Sequence, residues 1–391
     1  MEEKNITSTI KYIGVNDYDL DLFEGQYIVE NGMAYNSYLI MDKHITIMDS
    51  VDKRKSEEWL KNIKDILKDK KPEYFVISHL EPDHSSSIDL LLNNYPDIKI
   101  VSNAKVFSLL PQFFDIPNLD VLKYEVKEGD ILDLGECKLR FIMAPMVHWP
   151  EVMMCYEEKN KILFSADAFG KFGTLDTDEE WDCEARRYYF NIVGKYGLQV
   201  QNLFKKISNL EIKIICPLHG PILNDNLNHY LNKYNIWSKY EVESDGVFIA
   251  CASIHGNTLE ACKELKNILE KKGIKTVLSD LTRTDFAENI EDCFKYGHIV
   301  FASSTYNMEI FPPMRNLLLN LKSKNYQNRT VALIENGTWA PNAIKCMKEI
   351  INEMKNINII DQTITIKTKL SEENRKELEL LAEKLIGKEV K

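Results

Sequence analysis

The sequence predicts an α/β protein with an α+β part. Residues 1–243 are expected to form a sandwich flanked by helices, and residues 244–391 a doubly wound, five-stranded parallel sheet. Three observations carry that prediction. At 391 residues the chain is too long for one ordinary core. Its first part holds many short β-branched and aromatic runs and few helices, whereas strands and helices alternate regularly after Gly246. A short polar stretch, Glu241 to Gly246, separates the two patterns.

In the first part the strand candidates are YNSYLIM, ITIMDS, YFVISH, IKIVSN, KLRFIMA, VMMCYE, KILFSAD and IKIICP. Many alternate poorly, so both their faces are expected to be covered. SEEWLKNIKDILKD, residues 56–69, reads as an amphipathic helix with Trp59, Ile63, Ile66 and Leu67 on one face. Glu57 and Glu58 suit its positive N-terminus. In the second part GVFIACAS, TVLSDL, HIVFASST, TVALIEN and INIIDQTITI are strands, each followed by a helical run. Five βα units in this order predict a parallel sheet.

Composition narrows the function classes. The chain is 44% hydrophobic and 28% charged, as in globular proteins. A net charge of -11 argues against a nucleic-acid or membrane-surface partner, whose phosphates it would repel. MEEKNITSTIKY does not read as a signal peptide, and no segment approaches the roughly 20 apolar residues that span a bilayer. The eight cysteines form no C-x-x-C pair, and several lie in apolar runs. They read as reduced thiols of a cytoplasmic protein, with no rubredoxin-type or zinc-ribbon module in this chain.

The first βα turn of the second half is SIHGNT, with Ser253, His255, Gly256, Asn257 and Thr258. Hydroxyls at both ends, a glycine between them and the start of a helix suit a phosphate. The turn lacks both the G-x-G-x-x-G spacing and the lysine of a Walker loop. SSTYNMEIFPP, with Ser304, Thr305, Tyr306 and Asn307, and ENGTWAPN, with Asn336, Gly337 and Trp339, follow later strands. Such strand ends are where this architecture binds ligands, and Tyr306 and Trp339 could each cover a planar ring. A single turn would read as an ordinary capped surface turn; three in this order read as a site. This half resembles flavodoxin throughout. The resemblance implies FMN, with its phosphate on the Ser253–Thr258 loop and its isoalloxazine between the later loops. His255 stands where many flavodoxins have Thr or Tyr.

In the first half, SHLEPDHSSS places His79, Glu81, Asp83 and His84 at the end of an apolar strand. In an extended segment His79, Glu81 and Asp83 share a face, while Asp83 and His84 diverge toward two centres. His148 after KLRFIMAPMV, Asp167 at the end of KILFSAD and His219 after IKIICP follow the same grammar. Any one of them alone would read as a hydrogen-bonded polar residue at a strand end. The ordered set signals two metals, with Asp167 as the natural bridge because a carboxylate has two oxygens. Four of the eight histidines belong to it; His44, His229, His255 and His298 do not.

The cluster resembles the metallo-β-lactamase fold, an αββα sandwich whose hallmark is H-x-H-x-D-H, but Glu81 replaces the middle histidine. A His-rich site suits zinc and hydrolysis, whereas added carboxylate oxygen favours iron or manganese. With H-x-E-x-D-H-S, MVHWPE, SADAFG and CPLHGP in order, and a flavodoxin-like half behind them, the chain resembles the flavodiiron proteins over nearly its whole length. That resemblance implies a non-haem di-iron centre, one iron held by His79, Glu81 and His148, the other by Asp83 and His219, and Asp167 between them. The histidine matching His84 is a ligand in some members and swings away in others. FMN-fed reduction of O2 to water, of NO to N2O, or of both is implied. So are an external donor, rubredoxin or a deazaflavin coenzyme, and a head-to-tail homodimer or a dimer of dimers. Two alternatives stand beside this. One is a binuclear zinc hydrolase with a flavodoxin-like regulatory or docking domain; the other is an electron-transfer flavoprotein with a structural metal. Glu24 is a weak candidate for tuning the site, against an ordinary surface salt bridge.

Overall fold

The computed structural model describes residues 5–387. They form two compact units, residues 5–189 with 196–235, and residues 190–195 with 236–387.

The first unit is built on two sheets. One runs in the order Ile10–Tyr12, Tyr38–Ile40, Thr46–Met48, Tyr74–Val76, Lys99–Asn103, Lys123–Val126, and its last four strands are parallel. The other runs Ile131–Asp133, Lys138–Met143, Met153–Glu157, Ile162–Phe164, Ile214–Cys216. It is antiparallel except for its final pair. Ile40, Met48, Val76 and Val101 of the first sheet share one buried core with Leu139, Phe141, Met153 and Phe164 of the second. Fully covered strands have no polar face to alternate with, which is why these runs read as continuously apolar.

All eight strand runs picked out in this part contain strands of the sheets. The short strands Val15–Asp17, Leu22–Phe23, Tyr27–Ile28 and Met33–Tyr35 were not anticipated. Two or three residues carry too little periodicity to register. The helix Ser56–Leu67 buries Trp59, Leu60, Ile63 and Leu67, so Leu60 joins the predicted face while Ile66 is only half-buried. Trp59 is fully buried, and its Nε1 donates to Ser37 Oγ at 3.0 Å.

In the second unit the five main strands are Ser244–Ala252, Thr276–Asp280, Tyr296–Tyr306, Gln327–Asn336 and Lys355–Ile359. All are parallel, in the order second, first, third, fourth, fifth. INIIDQTITI does not form the single strand expected. Lys355–Ile359 pairs with Gln327–Val331, the chain then breaks away, and Ile364–Ile366 pairs with Ile334–Asn336. The helices Asn257–Lys271, Phe286–Lys295, Pro312–Ser323, Ala343–Ile351 and Glu372–Leu385 follow the strands as predicted. Strand order reverses between Ser244–Ala252 and Tyr296–Tyr306, which opens a crevice at their carboxyl ends.

Replacing Trp59 with alanine empties a filled core position and removes the hydrogen bond from its Nε1 to Ser37 Oγ. Chemical denaturation of Trp59→Ala is expected to show a loss of about 3–5 kcal/mol. A loss below about 1 kcal/mol would mean that this helix does not anchor the sandwich.

Candidate functional site

Strand ends of both sheets deliver the acidic and histidine side chains of the first unit. His79 follows Tyr74–Val76, where Asp49 accepts the Ser78 N–H at 2.6 Å and fixes the chain's exit. His148 lies in the turn between Lys138–Met143 and Met153–Glu157. Asp167 follows Ile162–Phe164 in a turn where Ala166 and Phe169 both take positive φ, and Tyr234 Oη accepts the Phe169 N–H at 2.6 Å. His219 follows Ile214–Cys216 in a loop whose carbonyls are gripped from the side: Asn36 Nδ2 donates to Pro217 and Gly220, and Tyr38 Oη to Pro217. Gly170 packs closely here: a Cβ would lie 3.0 Å from the Asp167 carbonyl oxygen and 3.3 Å from His219 Cβ, so any side chain would crowd both ligand loops.

Two expectations fail in detail: Asp83 and His84 do not diverge toward two centres but fall in one donor set, and the strand alternation does not hold. His79, Glu81 and Asp83 do not share the face of an extended segment. The chain turns at Pro82, and Pro82–Ser85 is a helical turn. Proline is favoured at such a start, and the turn carries Asp83 away from Glu81 and sets it beside His84.

Two sets of donors result. His79, Glu81, His148 and Asp167 form one; Asp83, His84 and His219 form the other. Glu81 Oε2 lies 3.2 Å from His79 Nε2 and 2.9 Å from His148 Nε2. Asp83 Oδ2 lies 3.2 Å from both His84 Nε2 and His219 Nε2, which are 3.0 Å apart. Asp167 stands between the sets and is fully buried. Its Oδ2 faces His79 Nε2 at 3.2 Å and His148 Nε2 at 3.4 Å; its Oδ1 faces His84 Nε2 at 3.1 Å and His219 Nε2 at 3.6 Å.

These spacings fit a metal pair. Donors about 2.1 Å from one ion are about 3.0 Å apart at octahedral angles and about 3.4 Å apart at tetrahedral angles. Both oxygens of Asp83, both of Asp167 and Nε2 of His148 are buried without a hydrogen-bond partner. Buried carboxylates left this way are costly unless a cation completes them. All seven predicted ligand residues are brought together, His84 included, while His44 pairs with Glu73 and His229 with Asp182 instead.

The charges reinforce each other. Burial works to lower the His79 pKa, but Asp167, Glu151 and Glu81 raise it well above the usual range. For His148, burial is likewise outweighed by Asp167 and Glu81, and its pKa rises to about 9. Burial raises Asp83 to about 7 against the pull of His84. Asp167 is driven well below the usual carboxylate range by His79 and His84, against its own burial. Among the described residues Glu24 forms no salt bridge. It keeps solvent contact and accepts from Gln26, yet partial desolvation and the Glu81 charge push its carboxyl up to about 7.

Reading the sequence missed the residues behind the donors. Glu151, inside the quoted MVHWPE, accepts His79 Nδ1–H at 2.8 Å, and the Ala34 carbonyl accepts His219 Nδ1–H at 2.8 Å. An acidic residue three positions past a candidate ligand was the available signal for the first. Nothing local marks the second, which is 185 residues away.

In the second unit the crevice is a cleft of about 530 Å³. It is lined by Ser253, His255, Asn257, Thr258, Ser304, Thr305, Tyr306, Asn307, Asn336, Gly337 and Trp339, all expected from the sequence. Gly256 departs from expectation: it does not line the cleft. It sits at φ +91° at the start of the helix Asn257–Lys271, its N–H donating to Ser253 Oγ at 3.0 Å. Thr368, unforeseen, lines the cleft from the turn after Ile364–Ile366, held by a two-way hydrogen-bonded exchange with Asn336. Thr258 Oγ1 and Ser304 Oγ lie 3.0 Å apart, and the lining contains no lysine or arginine. Neutral donors at a helix N-terminus, with the exposed rings of Tyr306 and Trp339 beside them, fit a phosphate monoester carrying a flat ring.

Fold and sites together define a metalloprotein of the β-lactamase type continued by a flavodoxin-like unit. Residues 33–220 match the family described as ODP family beta lactamase. An uncharacterized protein of Methanocaldococcus jannaschii is 27% identical over 95% of both chains. The anaerobic nitric oxide reductase flavorubredoxin of Klebsiella pneumoniae is 27% identical over 87% of this chain and 72% of its own. The crystal structure of the flavodiiron protein from Giardia intestinalis superposes with a TM-score of 0.92 at 25% identity, covering 99% of this chain and 97% of its own. Over nearly its whole length the chain is similar to flavodiiron proteins.

Metals bind the unprotonated imidazoles, and His79 and His148 hold their protons unusually tightly without a metal. Metal uptake is therefore expected to release protons. Affinity should rise as pH increases from 7 to 9, by about tenfold per unit for each proton displaced. Adding Fe(II) to metal-free protein at pH 7.5 in weak buffer checks this; uptake without acidification would contradict it.

Proposed function

We propose that this chain is a flavodiiron oxidoreductase that reduces O2 to water, NO to N2O, or both. The observation that carries the proposal is the placement of Asp167, whose two oxygens face two separate sets of histidine and carboxylate donors. One iron would be held by His79, Glu81 and His148, the other by Asp83, His84 and His219, and Asp167 would bridge them. FMN would occupy the cleft of the second unit, its phosphate on Ser253, Thr258 and the helix N-terminus. When bound, a reduced flavin and two ferrous ions hold four electrons between them, the number that takes O2 to two waters, while two suffice to join two NO into N2O and water.

The protein's own residues supply binding, orientation and dryness. The strand-end turns fix the carboxylates before a metal arrives, and the complete burial of His79, Asp167 and His219 keeps bulk water from the centre. A binuclear zinc hydrolase is not favoured: Glu81 supplies carboxylate oxygen where a zinc hydrolase of this fold would have a histidine, and the flavin-type cleft has no part in hydrolysis.

The domain limits proposed are residues 1–243 and 244–391. Electrons would arrive from an external donor, a rubredoxin or a reduced deazaflavin coenzyme. A head-to-tail homodimer, or a dimer of such dimers, would set the flavin of one subunit against the irons of its partner. Among the described residues no disulfide joins Cys137, Cys155, Cys216, Cys251, Cys262, Cys293 or Cys346, which suits a cytoplasmic setting, and no helix is long and apolar enough to cross a membrane.

Asp167→Ala is expected to abolish O2 and NO reduction and to lose iron while keeping a full complement of FMN. Wild-type protein carrying two zincs, no iron, and a reduced flavin that neither gas oxidises would overturn the proposal. In the other unit, Ser253→Ala and Thr258→Val are each expected to weaken FMN binding roughly 10–100-fold, the loss of one hydrogen bond to a charged group. Riboflavin, which lacks the phosphate, should bind the variants and the wild type alike. Equal losses for both ligands would place the phosphate elsewhere.

A further inference from the structure

The two donor sets are matched in their inner atoms. Counting Asp167 in both, each offers two histidines and two carboxylates: His79, His148, Glu81 and Asp167 on one side, His84, His219, Asp83 and Asp167 on the other. Behind those atoms the match ends. Glu151 Oε1 accepts both His79 Nδ1–H, at 2.8 Å, and the Leu80 N–H, at 3.0 Å. Glu151 is 1% exposed, its other oxygen has no partner, and Asn103 Nδ2 clamps its backbone carbonyl at 2.8 Å. Trp149 packs edge-on against the His79 ring with centroids 5.2 Å apart. Across the centre, His219 Nδ1 has only the neutral Ala34 carbonyl, and His84 Nδ1 is buried with no partner.

We infer that the two metal positions are built unequal, with Glu151 as the positioning residue that makes the His79–Glu81–His148 position the tighter and first-filled of the two. A carboxylate behind a ligating imidazole fixes the ring and its tautomer and makes the outward nitrogen a stronger donor. A carbonyl does the first of these but brings no charge. Two other acidic groups lie near. Asp49 accepts the Ser78 N–H, and its charge acts on both His84 and His79, one ligand from each position. Glu24 keeps solvent contact and is bonded to Gln26.

The inference rests on the metal-pair reading above, and one experiment separates the two. Metal-free protein is titrated anaerobically with Fe(II) against a competing chelator. Wild type should bind two Fe(II) in distinguishable steps. Glu151→Gln keeps an acceptor oxygen but removes the charge, and should weaken the tighter step about 10–100-fold while the weaker step stays within about twofold. In a His219→Ala background the same loss should persist; in a His148→Ala background it should vanish. Fewer than two Fe(II) bound by wild type would sink the metal-pair reading itself. Two bound, with Glu151→Gln moving neither step or both equally, would overturn only the inference. Circular dichroism of the metal-free variant verifies folding. If Glu151→Gln does not fold, Glu151→Asp decides, since a charge withdrawn by one methylene should give a smaller loss at the same step, and an equal loss at both steps would contradict the inference.

Discussion

The site depends on one buried carboxylate shared by two sets of donors. Asp167 has no solvent exposure, and neither of its oxygens has a hydrogen-bond partner. A lone ionised carboxyl in that place would be expelled or protonated. Here four imidazole nitrogens surround it at 3.1 to 3.6 Å, and its pKa is held well below the usual range by His79 and His84 despite burial. The surrounding structure serves this arrangement. Four segments leave the two sheets near one point, and three of them are turned by a local device: positive φ at Ala166 and Phe169, the helical turn at Pro82, the carbonyls gripped by Asn36 and Tyr38.

Much of this was legible in the sequence because strand ends with a ligand-type residue after an apolar run are a local signal. His79, His148, Asp167 and His219 each end such a run, and the structure brings them within reach of one another. What the sequence could not supply was the path between them. Asp83 looked co-facial with Glu81 by strand alternation, but Pro82 starts a helical turn that reassigns it to the other set. Ala34 and Glu151, which orient the imidazoles, act through a contact of long sequence separation and through a residue whose type alone is ordinary.

The second unit was legible for the opposite reason: its βα repeats are long and periodic, so element type and order follow from pattern alone. The one misread element is at the sheet edge, where Lys355–Ile359 and Ile364–Ile366 pair with successive stretches of the same neighbour. That break matters to the cleft, because the turn after the second piece carries Thr368 to Asn336. Gly256 shows the limit of residue-type reasoning in a binding loop. Its conformation at φ +91° shapes the loop, and the lining is left to its neighbours.

The most direct measurement is an anomalous diffraction map of iron-loaded crystals at the iron edge. Two peaks about 3.5–4 Å apart, one on each side of the Asp167 carboxylate, are the predicted result. A single peak, or two that Asp167 does not lie between, would contradict a metal pair organised by this carboxylate.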